Sequence, residues 1–178
     1  EPDPALVRDF DVCLILHADH ELNASAFSAR VTSSTLSGIY SSVMAAIGTL
    51  KGPLHGGANE QVMRMLLEIG TADGVEAWID DALAAKRKVM GFGHRVYKEG
   101  DPRAKILRAM SERLTRDTGR PELFEMSARI DEHMQKTKEL LPNVDFYSAT
   151  VYHSMGIPID LFTPVFAVSR VSGWCAHV

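Results

Sequence analysis

Apolar residues recur along this chain at steps of three and four, the period of a helix with one buried face. Leu6, Phe10, Leu14 and Ile15 share a face by that spacing. So do Ile39, Val43, Ala46, Ile47 and Leu50, and then Val62, Met65, Leu66 and Ile69. No sustained alternation of period two occurs, so the pattern predicts an all-α chain. A glycine costs about 1 kcal/mol inside a helix, so Gly38 predicts two helices, or one with a break, between Ser25 and Leu50. Gly70 and Gly74 bracket a loop, and Val75 to Val89 is amphipathic. The run "GFGHRVYKEGDPR" is a long glycine-rich connection, closed by Asp101 as an N-cap and Pro102 at the first helical position. Arg103 to Thr118 and Glu122 to Glu139 carry apolar stripes with charged outer faces, separated by Gly119. "LPNVDF" interrupts the pattern. Val144 to Met155 and Phe162 to Val178 then predict two closing helices, the second more apolar and expected to be the more deeply buried.

Composition adds bounds. A chain of 178 residues, 46% hydrophobic and 24% charged, can bury a core as one domain or two small ones. A net charge of -4 and a pI near 6.0 give no basic footprint for a phosphate backbone, so no nucleic-acid partner is expected. No apolar run approaches the roughly 20 residues a membrane span needs, and no signal layout opens the chain; a cytoplasmic location without a membrane partner is expected. Cys13 and Cys175 stand in apolar surroundings without CxxC or zinc spacing, which predicts buried thiols in a reducing compartment. The chain opens on "EPDPALVRDF" and ends inside an apolar, helix-compatible run, so it reads as part of a longer polypeptide.

The candidate chemistry gathers on histidines in irregular stretches: His17 and His20 in "HADHELNAS", His55 in "GPLHGGAN" and His94 in "GFGHRVY". His17, His20 and Glu21 could share one helical face as metal ligands, but the HExxH spacing of zincins is absent and no metal site is assigned. Nucleophilic catalysis lacks a GxSxG elbow or an activated cysteine. A third arrangement fits better: Asp145 at a loop-to-helix junction as a base, with two histidines on glycine-bearing turns as donors, suits proton abstraction next to a carbonyl. The competing role for Asp145 is a helix N-cap, and for His55 a turn residue. Arg30, Arg103 and Arg170 could hold carboxylates by bidentate forks; Arg30 and Arg170 stand in apolar company, where a guanidinium needs an anion.

Five ordered blocks, "HADHELNAS", "GPLHGGAN", "GFGHRVYKEGDPR", "PNVDFYSATVYHSMG" and "LFTPVFAVSRVSGWCAHV", cover essentially the whole chain, and in them it resembles the citrate synthase family. The resemblance implies condensation of acetyl-CoA with oxaloacetate to citrate and CoA, the first step of the tricarboxylic acid cycle, with acetyl-CoA a substrate and no cofactor. It implies Asp145 as the base, His55 as donor to the thioester oxygen and His94 as donor to the oxaloacetate carbonyl. His20, Asn23, Arg103 and Arg170 match oxaloacetate ligands. Gly91 and Gly93 resemble the loop that meets CoA, and Lys136 and Lys138 stand where basic residues approach its phosphates, although a solvated helix end explains the lysines equally well. The implied architecture places residues 1–55 in a large helical domain, 56–156 in a small one and 157–178 back in the large one, with a cleft that closes and a homodimer or higher oligomer. The family's N-terminal half, and its arginine that reaches across the dimer, are not in this chain. One rival is 2-methylcitrate synthase, which uses propionyl-CoA; Arg95 leans against it, since that branch often has proline there. The other is a non-catalytic helical module that binds CoA-like anions or assembles with a missing half.

Overall fold

Four helices begin on an Asp or Asn side chain that accepts a backbone N–H of the first turn: Asp3 from Ala5, Asn23 from Ala26, Asp101 from Arg103 and Asn143 from Asp145. The computed structural model describes residues 3–94 and 96–178. In chain order the helices are α1 (Pro4–His17), α2 (Ala24–Ser33), α3 (Ile39–Leu50), α4 (Ala58–Ile69), α5 (Val75–Ala84), α6 (Pro102–Asp117), α7 (Pro121–Lys138), α8 (Val144–Ser154) and α9 (Phe162–His177). Among the described residues there is no strand; a single bridge pairs Phe92 with Pro142. No helix there is long and apolar enough to cross a membrane. The all-α class follows from the periodicity, and two helices lie between Ser25 and Leu50, parted at Leu36 in the left-handed region and restarted with Gly38 at the N-cap.

The helices fall into two units, Glu1–Gly57 with Asp160–Val178, and Ala58–Ile159. In the first unit α2 and α3 form a helical hairpin, and α9 packs against α1, α2 and α3. Its core is Ala26, Ala29, Ala46, Leu50, Phe166 and Trp174. Small residues bring α2 and α3 together, and Gly173 does the same for α9 and the end of α1. Its N–H donates to the Ala18 carbonyl at 3.1 Å, and a Cβ at that position would stand 2.4 Å from the same oxygen. The packing face of α1 is Asp9, Cys13 and His17, so Ile15, expected on the buried face, is 64% exposed. Ile39 and Ile47 also face outward, because α3 buries Ser42, Ala46 and Leu50. Cys175 is exposed, contrary to the expectation of two buried thiols, since α9 turns Gly173 and Trp174 inward instead.

In the second unit α8 is the centre, packed by α4, α6 and α7. Eight of its residues are buried, from Val144 and Phe146 to Tyr152. This reverses the expectation that α9 would be deeper: α9 leaves Val168 and Val171 outside because its neighbours lie on one face. The polar groups of α8 tolerate burial because they are paired. Thr150 bonds Ser111 at 2.6 Å, and the Tyr147 hydroxyl donates to Asp131 Oδ2 at 2.7 Å while accepting from Arg108 Nε at 3.1 Å. Helix α5 ends at Ala84, short of the expected Val89, where Lys86 takes a left-handed φ of 56° and Arg87 N–H closes onto the Ala82 carbonyl.

Candidate active site

In the first unit His55 lies in the turn after α3, and the backbone there explains its glycine. A Cβ on Gly56 would fall 2.5 Å from Leu50 Cγ, so only glycine lets the turn fold back on α3. The imidazole Nε2 meets two groups of Ser25: the backbone N–H at 3.3 Å and the hydroxyl at 2.8 Å. A backbone N–H can only donate, which makes Nε2 an acceptor and assigns the proton of the neutral ring to Nδ1. Ser25 Oγ accepts the Trp174 indole N–H at 3.0 Å and shares its own proton between the ring and Asn23 Oδ1 at 2.7 Å. Burial, and then the Arg170 guanidinium, push the His55 imidazole down to about 4. The ring is therefore neutral at pH 7 and suited to donate a hydrogen bond without carrying charge.

Arg170 is 2% exposed, with Nε donating to the His17 carbonyl at 2.6 Å and the guanidinium carbon 4.7 Å from the centre of the Phe166 ring. Asn23 caps α2 and spends its amide N–H groups on the His20 and Glu21 carbonyls. His20 is half-buried in the connection between α1 and α2. Because α1 ends at His17, whose Nδ1 faces the Cys13 carbonyl at 2.8 Å, the helical face that His17, His20 and Glu21 would need for a metal does not form. Among the described residues no group of three or more His, Cys, Asp or Glu side chains is arranged to hold a metal ion. Arg30 is exposed on α2, so solvent supplies the compensation its apolar neighbours suggested it would lack.

In the second unit a clamp holds the other two candidate groups. Gly93 N–H donates to the Leu141 carbonyl, Asn143 N–H to the Gly91 carbonyl, and Asn143 Nδ2 to the Gly93 carbonyl, at 2.9, 2.9 and 3.1 Å. His94 directly follows one side of this clamp, and Asp145 follows the other as α8 begins. His94 Nδ1 accepts the N–H groups of Val96 at 3.0 Å and Tyr97 at 3.1 Å, which assigns its proton to Nε2. Burial holds its imidazole below the ordinary value; Asp101 opposes that and Arg103 adds to it. Asn143, not Asp145, is the N-cap of α8, so Asp145 is the second helical residue, in the first turn where a helix stabilises an anionic side chain.

Arg103 forks onto Asp101, with Nε to Oδ1 at 2.9 Å and Nη2 to Oδ2 at 2.7 Å. Asp101 is held below the ordinary carboxylate range: burial raises it, and the Arg103 hydrogen bonds and charge outweigh burial. A cavity of about 190 Å³ is lined by Gly93, His94, Tyr97, Lys98, Leu140 and Leu141 among others. Lys98 in its wall was not singled out in the sequence, whereas Lys136 and Lys138 sit exposed in the last turn of α7, Lys136 beside Glu132 at 3.9 Å. Arg95 lies outside the described residues. Sequence reasoning also missed Ser25, Asp101 and Asn143 as groups that orient the candidates. The available signal was their place two residues from Asn23, Arg103 and Asp145.

Comparison with known proteins matches residues 1–178 to the C-terminal domain of citrate synthase. Citrate synthase 2 of Bacillus subtilis is 64% identical over 178 residues, all of this chain and 48% of the relative. The 2-methylcitrate synthase of Shewanella oneidensis is 46% identical over 99% of this chain and 47% of the relative. Among solved structures, citrate synthase of Thermoplasma acidophilum in ternary complex with carboxymethyl coenzyme A and oxaloacetate superposes with a TM-score of 0.95 at 40% identity, over 99% of this chain and 48% of that one. The chain thus spans about half the length of the curated relatives it matches.

Proposed function

The chain belongs to the citrate synthase family, and from that premise we propose that the complete polypeptide condenses acetyl-CoA with oxaloacetate and hydrolyses the thioester to citrate and CoA. The acetyl methyl group is a weak carbon acid, so the base must work together with stabilisation of the enolate oxygen. The Asp145 carboxylate takes the methyl proton. The Nδ1–H of His55 donates to the thioester oxygen as negative charge builds there. The enolate carbon then attacks the oxaloacetate carbonyl carbon, and the Nε2–H of His94 donates to the oxygen that becomes the citrate hydroxyl. Water hydrolyses citryl-CoA, releasing the thiol. The observation that supports this reading most is the pair of histidines, each made a neutral donor by backbone N–H groups that occupy its other nitrogen.

His20, Arg103 and Arg170 bind oxaloacetate, the two guanidiniums being pre-oriented by Asp101 and the His17 carbonyl, and Asn23 contributes by holding the His20 and Glu21 carbonyls. Gly91, Gly93, Lys136 and Lys138 meet CoA, with Lys98 beside them. Residues 1–55 and 157–178 belong to a large domain and 56–156 to a small one. The enzyme works in the cytoplasm as a homo-oligomer, a reading supported by the apolar side chains that α2 and α3 expose, Phe27, Val31, Tyr40 and Met44. Asp145→Asn and His55→Ala each lower kcat by about 10²-fold or more, the scale for general acid–base groups. Near-normal turnover in either variant returns that residue to a structural role. A second reading, 2-methylcitrate synthase acting on propionyl-CoA, draws support from the Shewanella oneidensis relative. The ratio of kcat/KM for acetyl-CoA and propionyl-CoA decides between them.

A further inference from the structure

We propose that Asp101 is a positioning residue for the condensation, fixing the Arg103 guanidinium and the first turn of α8 on one buried carboxylate. The inference rests on the preceding reading, in which Arg103 binds oxaloacetate and Asp145 takes the proton. As an N-cap Asp101 needs one oxygen and one bond, from the Arg103 N–H to Oδ1 at 3.0 Å. It makes three more. Oδ1 also accepts Arg103 Nε, while Oδ2 accepts Arg103 Nη2 at 2.7 Å and the Val144 N–H at 3.1 Å. Four donors satisfy both oxygens of a side chain that is 2% exposed, which a buried carboxylate requires.

The second oxygen does what capping α6 does not need. It grips the far edge of the guanidinium, and it holds the amide one residue before Asp145, 43 positions away in the chain. The Arg103 guanidinium also lies over the Tyr97 ring at 5.9 Å, and Tyr97 packs on His94 with ring centres 4.6 Å apart. Arg103 is thereby fixed from its edge by Asp101 and from its face by Tyr97. An asparagine has the shape of Asp101 but one acceptor oxygen, so it cannot accept the whole Arg103 fork and the Val144 N–H together.

The test measures kcat and both KM values for Asp101→Asn in the complete enzyme, with Arg103→Gln and the double variant beside it, and circular dichroism as the check on folding. Asp101→Asn raises KM for oxaloacetate about tenfold or more and changes KM for acetyl-CoA by less than about threefold, since the lost contacts orient a charge-assisted carboxylate ligand. In the Arg103→Gln background the same change adds less than about threefold, because the group it orients is gone. An unchanged KM for oxaloacetate in folded Asp101→Asn, or full additivity with Arg103→Gln, overturns the proposal. Should Asp101→Asn not fold, Asp101→Glu keeps the charge and displaces it by one methylene; it raises KM for oxaloacetate in the same direction, and its failure to fold or a normal KM also overturns the proposal. A wild-type enzyme without oxaloacetate-dependent turnover overturns the underlying reading instead.

Discussion

Replacing Gly91 by alanine tests the clamp between His94 and Asp145 through a backbone cost and a steric cost. Gly91 has a φ of +85°, and a Cβ there would stand 2.9 Å from Phe146 Cβ, Phe146 Cδ2 and Val62 Cγ2. Both neighbours are fully buried, on α8 and α4, so neither can step aside into solvent. The left-handed backbone costs an alanine about 1 kcal/mol, and forcing a methyl into a filled core costs about 1–3 kcal/mol; together the substitution destabilises by about 2–4 kcal/mol. Gly119→Ala is the control. Its φ is +73°, but nothing lies within 4 Å of the added carbon, so only the backbone cost of about 1 kcal/mol applies. Urea unfolding followed by circular dichroism, with the slope compared as well as the midpoint, measures both. If Gly91→Ala destabilises no more than Gly119→Ala, the close packing of the clamp on Phe146 and Val62 is refuted.

Ser25→Ala removes the acceptor of the fully buried Trp174 indole N–H and one of the two groups on His55 Nε2, so it costs about 1–3 kcal/mol and lowers kcat as well; urea unfolding and steady-state assay check this, and a loss under about 0.5 kcal/mol contradicts the network. His55 adds a pH dependence with a defined sign. Its folded imidazole, at about 4 against an ordinary 6.5, binds its proton later than the unfolded one, so its contribution is complete above pH 6.5 and lost as pH falls through 4. A fully dry ring would make that about 3 kcal/mol, and screening at this half-buried ring cuts it to about 1 kcal/mol. The stability difference between wild type and His55→Gln should shrink across that window, and parallel pH profiles contradict it.

Most helix bounds were legible in the sequence, the end of α5 being the exception. Asp101 followed by Pro102 announces α6 because the cap and the proline act locally. The end of α5 carries no glycine: Lys86 takes the left-handed conformation itself, so the amphipathic pattern ran on past Ala84, whereas at α7 the pattern stopped at Glu139, the left-handed C-cap. The depth of α8 was hidden because its serine, threonine and tyrosines read as surface until Ser111 and Asp131 supply their partners from other helices. At the site, His55, His94 and Asp145 were visible as residue types beside turns. The groups that set their tautomers and orientation were not. Ser25 reaches His55 across 30 positions and Asn143 reaches Gly93 across 50, contacts made or tethered by backbone atoms that leave no mark in a residue pattern.

Free CoA thiol released by the complete enzyme is the most direct measure of the proposal that Asp145, His55 and His94 serve an acetyl-CoA condensation. Release from acetyl-CoA is expected to require oxaloacetate and to fall by about 10²-fold or more in Asp145→Asn. Thiol release at the same rate without oxaloacetate, or undiminished in Asp145→Asn, would contradict it.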